Sequence, residues 1–218
     1  MDRPCRATAL ALVSLLLGCA PSLIERDGHR VFNPFYLFYL DCRSRDAWQQ
    51  PERVIDALAL APDAVVADVG AGSGYFTERF ARRLGAGGFV FATDVQDEML
   101  DRLSERVAES GLANVSVVTA RSDDPSLPEA CCDLVFFSSV YKEIDERVAY
   151  MEKVRRVLRP GGRVAILEYR PDWDGAGPPP ADRLRPEIVT QEMAAAGFDL
   201  REQHDFLARQ YFLVFARR

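Results

Sequence analysis

The chain has 218 residues, of which 48% are hydrophobic and 28% are charged. This composition is typical of a globular protein, and the length suffices for one good-sized core but not for two ordinary domains. The formal net charge of −6 and the pI near 5.1 argue against nucleic acid as the main partner, because phosphate binding requires a basic surface.

The first nineteen residues have the layout of an export signal. Arg3 and Arg6 precede a mostly apolar run over residues 7–17. This run is too short to cross a bilayer, which needs about 20 apolar residues, but it fits a secretory signal. The sequence LLGC, which ends at Cys19, resembles the lipobox of bacterial lipoproteins. The resemblance implies cleavage before Cys19 and attachment of a diacylglycerol to its sulfur; the alternative is an uncleaved apolar start on a cytosolic enzyme.

Residues 20–50 are predicted to form a tether and an aromatic helix. The stretch 21–30 is polar, and the stretch 31–40 contains five aromatic residues. Because proline suits the first turn of a helix, we expect a helix after Pro34. The aromatic side chains would belong to the core, form a lid over a substrate pocket or rest on lipid.

From residue 51 to residue 218 the pattern predicts one doubly wound α/β domain. Apolar strands that alternate with helices indicate a parallel sheet covered on both faces. The last two strands have no helix between them, so they are expected to form an antiparallel hairpin. The predicted strands are 64–69, 88–95, 114–120, 132–140, 163–169, 199–208 and 210–218, and the predicted helices begin at Pro51 and cover 74–85, 97–111, 145–158 and 186–198.

The segment VVADVGAGSGYFT, residues 65–77, runs from a strand through three glycines into a helix. Such a turn brings backbone N–H groups close to a ligand, and side chains there would hold the ligand away. The dinucleotide pattern G-x-G-x-x-G fails because Tyr75 occupies the position after Gly74, which argues against a nucleotide-dependent oxidoreductase. The P-loop and the serine nucleophile elbow are absent as well, and no CxxC spacing indicates a zinc site.

The segment DVGAGSGYFT resembles motif I of the class I S-adenosylmethionine (SAM)-dependent methyltransferases, whose usual form is acidic-x-G-x-G-x-G. The resemblance extends from about Arg45 to the C-terminus and includes RDAWQQPERVI, LRPGGRVAILEY and HDFLARQYFLVF. These three segments also look like those of the small methyltransferases often grouped with ubiquinone/menaquinone biosynthesis enzymes. The resemblance implies a Rossmann-like, seven-stranded, mainly parallel sheet with an antiparallel C-terminal strand, SAM as cofactor and a small-molecule methyl acceptor.

The resemblance also implies which residues bind SAM. Gly70 and Gly72 would let the turn approach the amino-acid tail, and Asp68 would help hold the ammonium group of the tail. Asp94, at the end of the second strand, would accept both ribose hydroxyls, since an ionised carboxylate is an acceptor only; a strand-end cap is the alternative. The complete predicted set is Asp68, Gly70, Ala71, Gly72, Gly74, Asp94, Val95, Asp123 and Ser138.

Two members of this set are open to other interpretations. Asp123 best matches the acid that meets the adenine amino group, but Asp124 is a rival and either residue would also suit a turn. Ser138 is expected to face the methionine part of the cofactor or to pack at the end of its strand. Trp173, in a Pro/Gly-rich loop over 171–182, would touch substrate or pin the loop.

The sequence identifies no catalytic base. Methyl transfer from a sulfonium is an in-line displacement, so positioning supplies much of the rate, and a base is needed only if the acceptor loses a proton. Related sequences often carry histidines after the fourth strand, where this chain has Lys142 and Glu143. We expect these two residues to form a solvated helix start.

The export signal and the cofactor conflict, because SAM is made in the cytosol. The chain is therefore either an active methyltransferase or a lipid-anchored, non-catalytic binding module on a methyltransferase scaffold. The expected location is the periplasmic side of a bacterial membrane if Cys19 is processed, and the cytoplasm otherwise. The sequence does not indicate the methyl acceptor or its reacting atom.

Overall fold

The computed structural model describes residues 23–26, 29–32 and 44–218. The predicted signal segment, Cys19 and the predicted helix after Pro34 lie outside the described residues. Within the segment predicted as a tether, Leu23–Arg26 (β1) and His29–Phe32 (β2) pair as an antiparallel hairpin. No helix in the described part of the chain is long and apolar enough to span a membrane.

The rest of the described chain alternates strands and helices as predicted. The strands are β3 Val65–Val69, β4 Phe89–Asp94, β5 Val115–Thr119, β6 Cys132–Ser138, β7 Leu158–Tyr169, β8 Phe198–His204 and β9 Gln210–Arg217. The helices are α1 Ser44–Gln49, α2 Pro51–Ala57, α3 Tyr75–Arg83, α4 Asp97–Glu109, α5 Arg147–Val157 and α6 Pro186–Ala195. Short helical turns occur at Tyr141–Glu143 and Pro180–Asp182.

Seven strands form one sheet in the order β5-β4-β3-β6-β7-β9-β8. β3 is parallel to β4 and β6, β6 is parallel to β7, and β9 is antiparallel to both of its neighbours. This confirms the predicted fold class and the antiparallel finish. The chain builds outward from β3 to β5 and then crosses to β6 on the other side of β3. Sheets of this kind bind ligands at the carboxyl ends of the strands beside that reversal.

The core covers both faces of the central strand β6. Phe136 packs against Phe76 and Phe80 of α3, with ring centroids 4.8 and 5.1 Å apart. Phe137 points to the opposite face, where it meets Tyr141 and Tyr150. Because successive side chains of a strand alternate between faces, a strand buried on both sides must be apolar throughout. This burial explains the uninterrupted apolar character of LVFF within β6.

The RPGG sequence, residues 159–162, lies inside β7 and locally interrupts the pairing of β7 with β6. Leu158 pairs with β6 at Cys132, but the next paired residue of β7 is Arg163, opposite Leu134. Gly161 adopts a left-handed φ of 80°, which glycine tolerates best. The predicted turn is therefore present, although β7 continues on both sides of it.

Candidate functional site

The glycine-rich turn joins the end of β3 to the start of α3. Gly70, Gly72 and Gly74 have φ values of 67°, 55° and 83°, in the left-handed region. A Cβ added to Gly70 would lie 2.5 Å from the side chain of Val140, and one added to Gly74 would lie 2.5 Å from Leu103. The fold itself therefore demands glycine at these two positions, in addition to any close approach by a ligand.

Asp94, the last residue of β4, holds this turn. Its Oδ2 accepts the N–H of Gly72 at 2.9 Å and its Oδ1 accepts the N–H of Gln96 at 3.0 Å. The side chain is 7% exposed, and burial raises the pKa of Asp94 to about 6. The backbone N–H of Val95 also hydrogen-bonds to this carboxylate, which has about four acceptor positions, so about one remains for a further donor such as a hydroxyl. Asp94 can therefore cap the end of β4 and still accept a hydrogen bond from a ligand.

Val95 follows this acid and offers an apolar surface to solvent. Its side chain is 44% exposed, although it borders a strand whose inner residues are buried. The N–H of Ala71 donates to the carbonyl of Thr93 at 2.9 Å, which connects the glycine-rich turn to the end of β4. Together with Asp94, Val95 places a hydrogen-bond acceptor and an apolar face side by side. That combination suits a nucleoside, which has both hydroxyls and a planar base.

Asp68 places a buried acid beside the turn, and the part-buried Arg45 places a positive charge near it. Asp68 is 2% exposed and accepts a 2.6 Å hydrogen bond from the Thr77 hydroxyl. Burial raises the pKa of Asp68 to about 6, while Thr77 and Arg45 act in the opposite direction. The guanidinium carbon of Arg45 lies 3.9 Å from the ring centroid of Tyr75. Arg45 had no predicted role, although it lies in the RDAWQQ segment that carried part of the resemblance.

A buried pair of glutamines fastens α1 to the sheet beside Ser138. The Gln49 amide donates to the Ser138 hydroxyl at 3.2 Å and to Oε1 of Gln210 at 3.0 Å. The Gln210 amide then donates to the Ser139 hydroxyl at 3.1 Å. Both glutamines are fully buried. The network places Arg45, on the same short helix, over the glycine-rich turn.

Asp123 lies farther out, on the surface beyond β5. Its side chain is 56% exposed and binds Lys153 at 2.9 Å and Arg121 at 3.1 Å. The hydrogen bond from Lys153, and then that from Arg121, lower the pKa of Asp123. The rival, Asp124, accepts the N–H of Ser126 at 2.7 Å, as a turn former does. Contact between Asp123 and an adenine amino group stays a prediction.

The prediction that Lys142 and Glu143 form a solvated helix start is wrong. The Lys142 side chain is 6% exposed, and its ammonium donates to the Ser139 carbonyl at 2.7 Å and to Glu143 at 2.8 Å. Burial lowers the pKa of Lys142, but Glu143 and Glu168 raise it, and the net shift is upward. An ammonium held in this way has no lone pair to act as a base.

The side chains at this edge fit the chemistry of SAM. Its amino-acid tail carries an ammonium and a carboxylate, which match the opposite charges of Asp68 and Arg45. Its ribose diol matches the free acceptor position of Asp94, and its adenine matches the exposed face of Val95. The glycine-rich turn leaves backbone rather than side chains facing this region.

The comparison with protein families agrees with this chemistry. A family model described as a methyltransferase domain matches residues 66–162. The matched segment includes the glycine-rich turn, Asp94, Asp123 and Ser138, and it ends within the RPGG sequence. With the fold and the site, this match supports a class I SAM-dependent methyltransferase.

Individual proteins give the same result. The chain is 30% identical over 122 residues to the ubiquinone/menaquinone biosynthesis C-methyltransferase of Vibrio vulnificus (strain YJ016). This aligned stretch covers 55% of this chain and 47% of that protein. The counterpart in Burkholderia cenocepacia (strain HI2424) is 32% identical over 113 residues, or 52% of this chain and 46% of that protein. The matches thus span about half the length of these curated relatives. A SAM-dependent methyltransferase structure from Aquifex aeolicus superimposes with a TM-score of 0.82 at 28% identity, over 85% of this chain and 98% of that one.

Replacing Asp94 with alanine is expected to weaken both the fold and SAM binding. The change leaves the buried N–H of Gln96 and the part-buried N–H of Gly72 without their acceptor, at a cost of about 1–3 kcal/mol for a buried unsatisfied group and less for a partly solvated one. Urea unfolding measures the loss of stability, and calorimetry with SAM measures the loss of affinity. Asp101→Ala, an exposed acid on α4, is the matched control. Unchanged stability and affinity in Asp94→Ala would remove this residue from the site.

Proposed function

We propose that this chain transfers a methyl group from SAM to a small-molecule acceptor. The observation that carries the proposal is the glycine-rich turn held by Asp94 next to the buried acid Asp68 and the part-buried Arg45. The family match and the Aquifex aeolicus structure support the same activity.

In this proposal the chain's residues bind and orient the cofactor. Asp68 takes the ammonium of the amino-acid tail and Arg45 takes its carboxylate. Asp94 accepts a hydrogen bond from the ribose diol, Val95 packs on the adenine and Asp123 meets the adenine amino group. Ser138 borders the methionine part, and the bare backbone at Gly70, Ala71, Gly72 and Gly74 admits the tail. When bound, SAM supplies an electrophilic methyl group on a sulfonium.

The charges around the site favour a cationic cofactor. Burial raises the pKa of Asp94, and the nearby carboxylate of Glu143 raises it further. Asp94 in turn contributes to the raised pKa of Asp68. A sulfonium and an ammonium would relieve this repulsion between carboxylates. With Lys142 bound to Glu143, the described side chains act on the reaction by positioning and by electrostatic stabilisation.

Calorimetry on the purified protein tests the proposed cofactor. We expect SAM and S-adenosylhomocysteine to bind and NAD to bind negligibly, because the turn has the spacing G-x-G-x-G. Turnover of SAM in the presence of acceptor candidates then separates an enzyme from a binding module on the same scaffold. Tighter binding of NAD than of SAM would overturn the proposed function.

Replacing Arg45 with glutamine tests the assignment of the amino-acid tail. We expect S-adenosylhomocysteine to bind about 10- to 100-fold more weakly, since a hydrogen bond to a charged group contributes about 1.5–3 kcal/mol. 5′-Methylthioadenosine, which has no amino-acid tail, should bind as it does to the unchanged protein. Calorimetry measures both ligands. Arg53→Gln on α2 is the matched control, and equal weakening of both ligands would show that Arg45 only positions α1.

We further propose that Cys19 is a lipid-attachment site that anchors the protein to a membrane. The support is the sequence LLGC after an apolar run, since a thiol is the group that accepts diacylglycerol. Mass spectrometry of the protein from its own host should find an N-terminus at Cys19 with added acyl mass, and Cys19→Ser should lose it. An intact, unmodified N-terminus in the soluble fraction would contradict the anchor and leave a cytosolic enzyme.

A further inference from the structure

Both tryptophans of the chain lie against the same arginine. Arg209 is in the turn between β8 and β9, and its guanidinium carbon is 4.8 Å from the Trp48 ring centroid and 5.2 Å from the Trp173 ring centroid. These distances are typical of cation–π contacts. One ring comes from α1 and the other from the Pro/Gly-rich loop after β7, so the guanidinium is held between two separate parts of the chain.

The loop after β7 packs closely on the aromatic rings at this place. The indole N–H of Trp173 donates to the carbonyl of Ala176 at 3.1 Å, which fixes the ring. A Cβ added to Gly175 would overlap the Trp173 ring, and one added to Gly177 would lie 2.7 Å from the Tyr169 ring. The Tyr169 ring in turn packs against Trp48, with centroids 5.8 Å apart. The rings around Arg209 are therefore held in place by the fold.

Arg209 differs from its arginine neighbours in its hydrogen bonding. Arg170 donates to the carbonyls of Leu207 and Gln210, and Arg183 donates to carbonyls of its own loop. Among residues 44–218, no carbonyl or carboxylate accepts a hydrogen bond from the Arg209 side chain. Stacking covers the faces of a guanidinium but leaves the N–H groups on its edge, which match a carboxylate or a phosphate.

The arginine and one of its tryptophans are next in sequence to the buried glutamines. Trp48 precedes Gln49, and Arg209 precedes Gln210. The two glutamine side chains bind each other, and Gln49 also binds the hydroxyl of Ser138 at the carboxyl end of β6. Arg209 therefore lies on the β7–β9 side of the edge at which we place SAM. In the proposed reaction the acceptor must bind next to SAM, and we place it on this side of the edge.

We propose that Arg209 recognises a carboxylate or phosphate group of the methyl acceptor, an inference that rests on the proposed methyl transfer. On the cofactor side of this edge, Asp94 has no cation among its hydrogen-bond partners in the described chain and would repel an anionic group. Arg209 would attract the same group on the other side and so orient the acceptor. Contact with two fixed rings limits the movement of the guanidinium, which lowers the entropy cost of two-point binding of an oxyanion.

Tryptophan fluorescence tests this proposal directly, because both tryptophans flank Arg209. The full-length protein, saturated with S-adenosylhomocysteine, is titrated with benzoate, with phenyl phosphate and with benzamide, the neutral counterpart of benzoate. We expect at least one anion to bind tenfold or more tightly than benzamide, and the order of the two anions separates carboxylate from phosphate recognition. Arg209→Gln should abolish the preference and Arg209→Lys should keep part of it. Arg156→Gln, an exposed arginine at the opposite edge of the sheet, should leave the preference unchanged.

Every other result counts against the proposal. Equal binding of anions and benzamide, including no response to any of them, would overturn it, as would a preference that survives in Arg209→Gln. Calorimetry with S-adenosylhomocysteine separates this failure from that of the proposed function. Cofactor binding without an anion preference removes the role of Arg209 alone, whereas absence of cofactor binding removes the proposed methyl transfer.

Discussion

The site depends on the two hydrogen bonds that the Asp94 carboxylate accepts from Gly72 and Gln96. They connect the end of β4 to the turn between β3 and α3, so that two separate loops at the sheet edge form one surface. The left-handed glycines make the turn tight enough for this connection. Burial of Asp94 raises its pKa, which shows that the fold accepts an electrostatic cost at this point. A carboxylate with a free acceptor position is thereby kept at the edge of the sheet.

The short helix α1 completes this edge from outside the segment that matches the family model. It is only six residues long, and a helix of that length is not stable by itself. The buried Gln49–Gln210 contact and the hydrogen bond to Ser138 hold it against the sheet. This attachment brings Arg45 next to Asp68 and Trp48 next to Arg209. One helix thus contributes both to the proposed cofactor site and to the proposed acceptor site.

Charge is distributed unevenly along the edge of the sheet at which we place SAM. Carboxylates gather on the cofactor side, where a ligand with a sulfonium and an ammonium would offset them. Lys142 is bound to Glu143 and does not act as a free cation there. On the other side the guanidinium of Arg209 lies against two indole rings. In the proposed reaction a cationic methyl donor would face an anionic acceptor, and the rate of transfer would come from their relative placement.

The sequence by itself determined the order of strands and helices, the antiparallel finish and the glycine-rich turn. These follow from local signals, since apolar periodicity and glycine spacing act over a few residues. Through the resemblance of DVGAGSGYFT to motif I it also predicted cofactor roles for Asp68 and Asp94, which stay predictions. It did not indicate the roles of Arg45, Gln49 or Arg209, and it predicted a solvated Lys142 where the structure buries the side chain. The reason is distance along the chain: Gln49 and Gln210 are 161 residues apart, and no local pattern records such a contact. Only the tertiary structure, by packing α1 against the carboxyl end of β6 and the amino end of β9, decided which charges lie together and placed Arg209 beside Trp48 and Trp173.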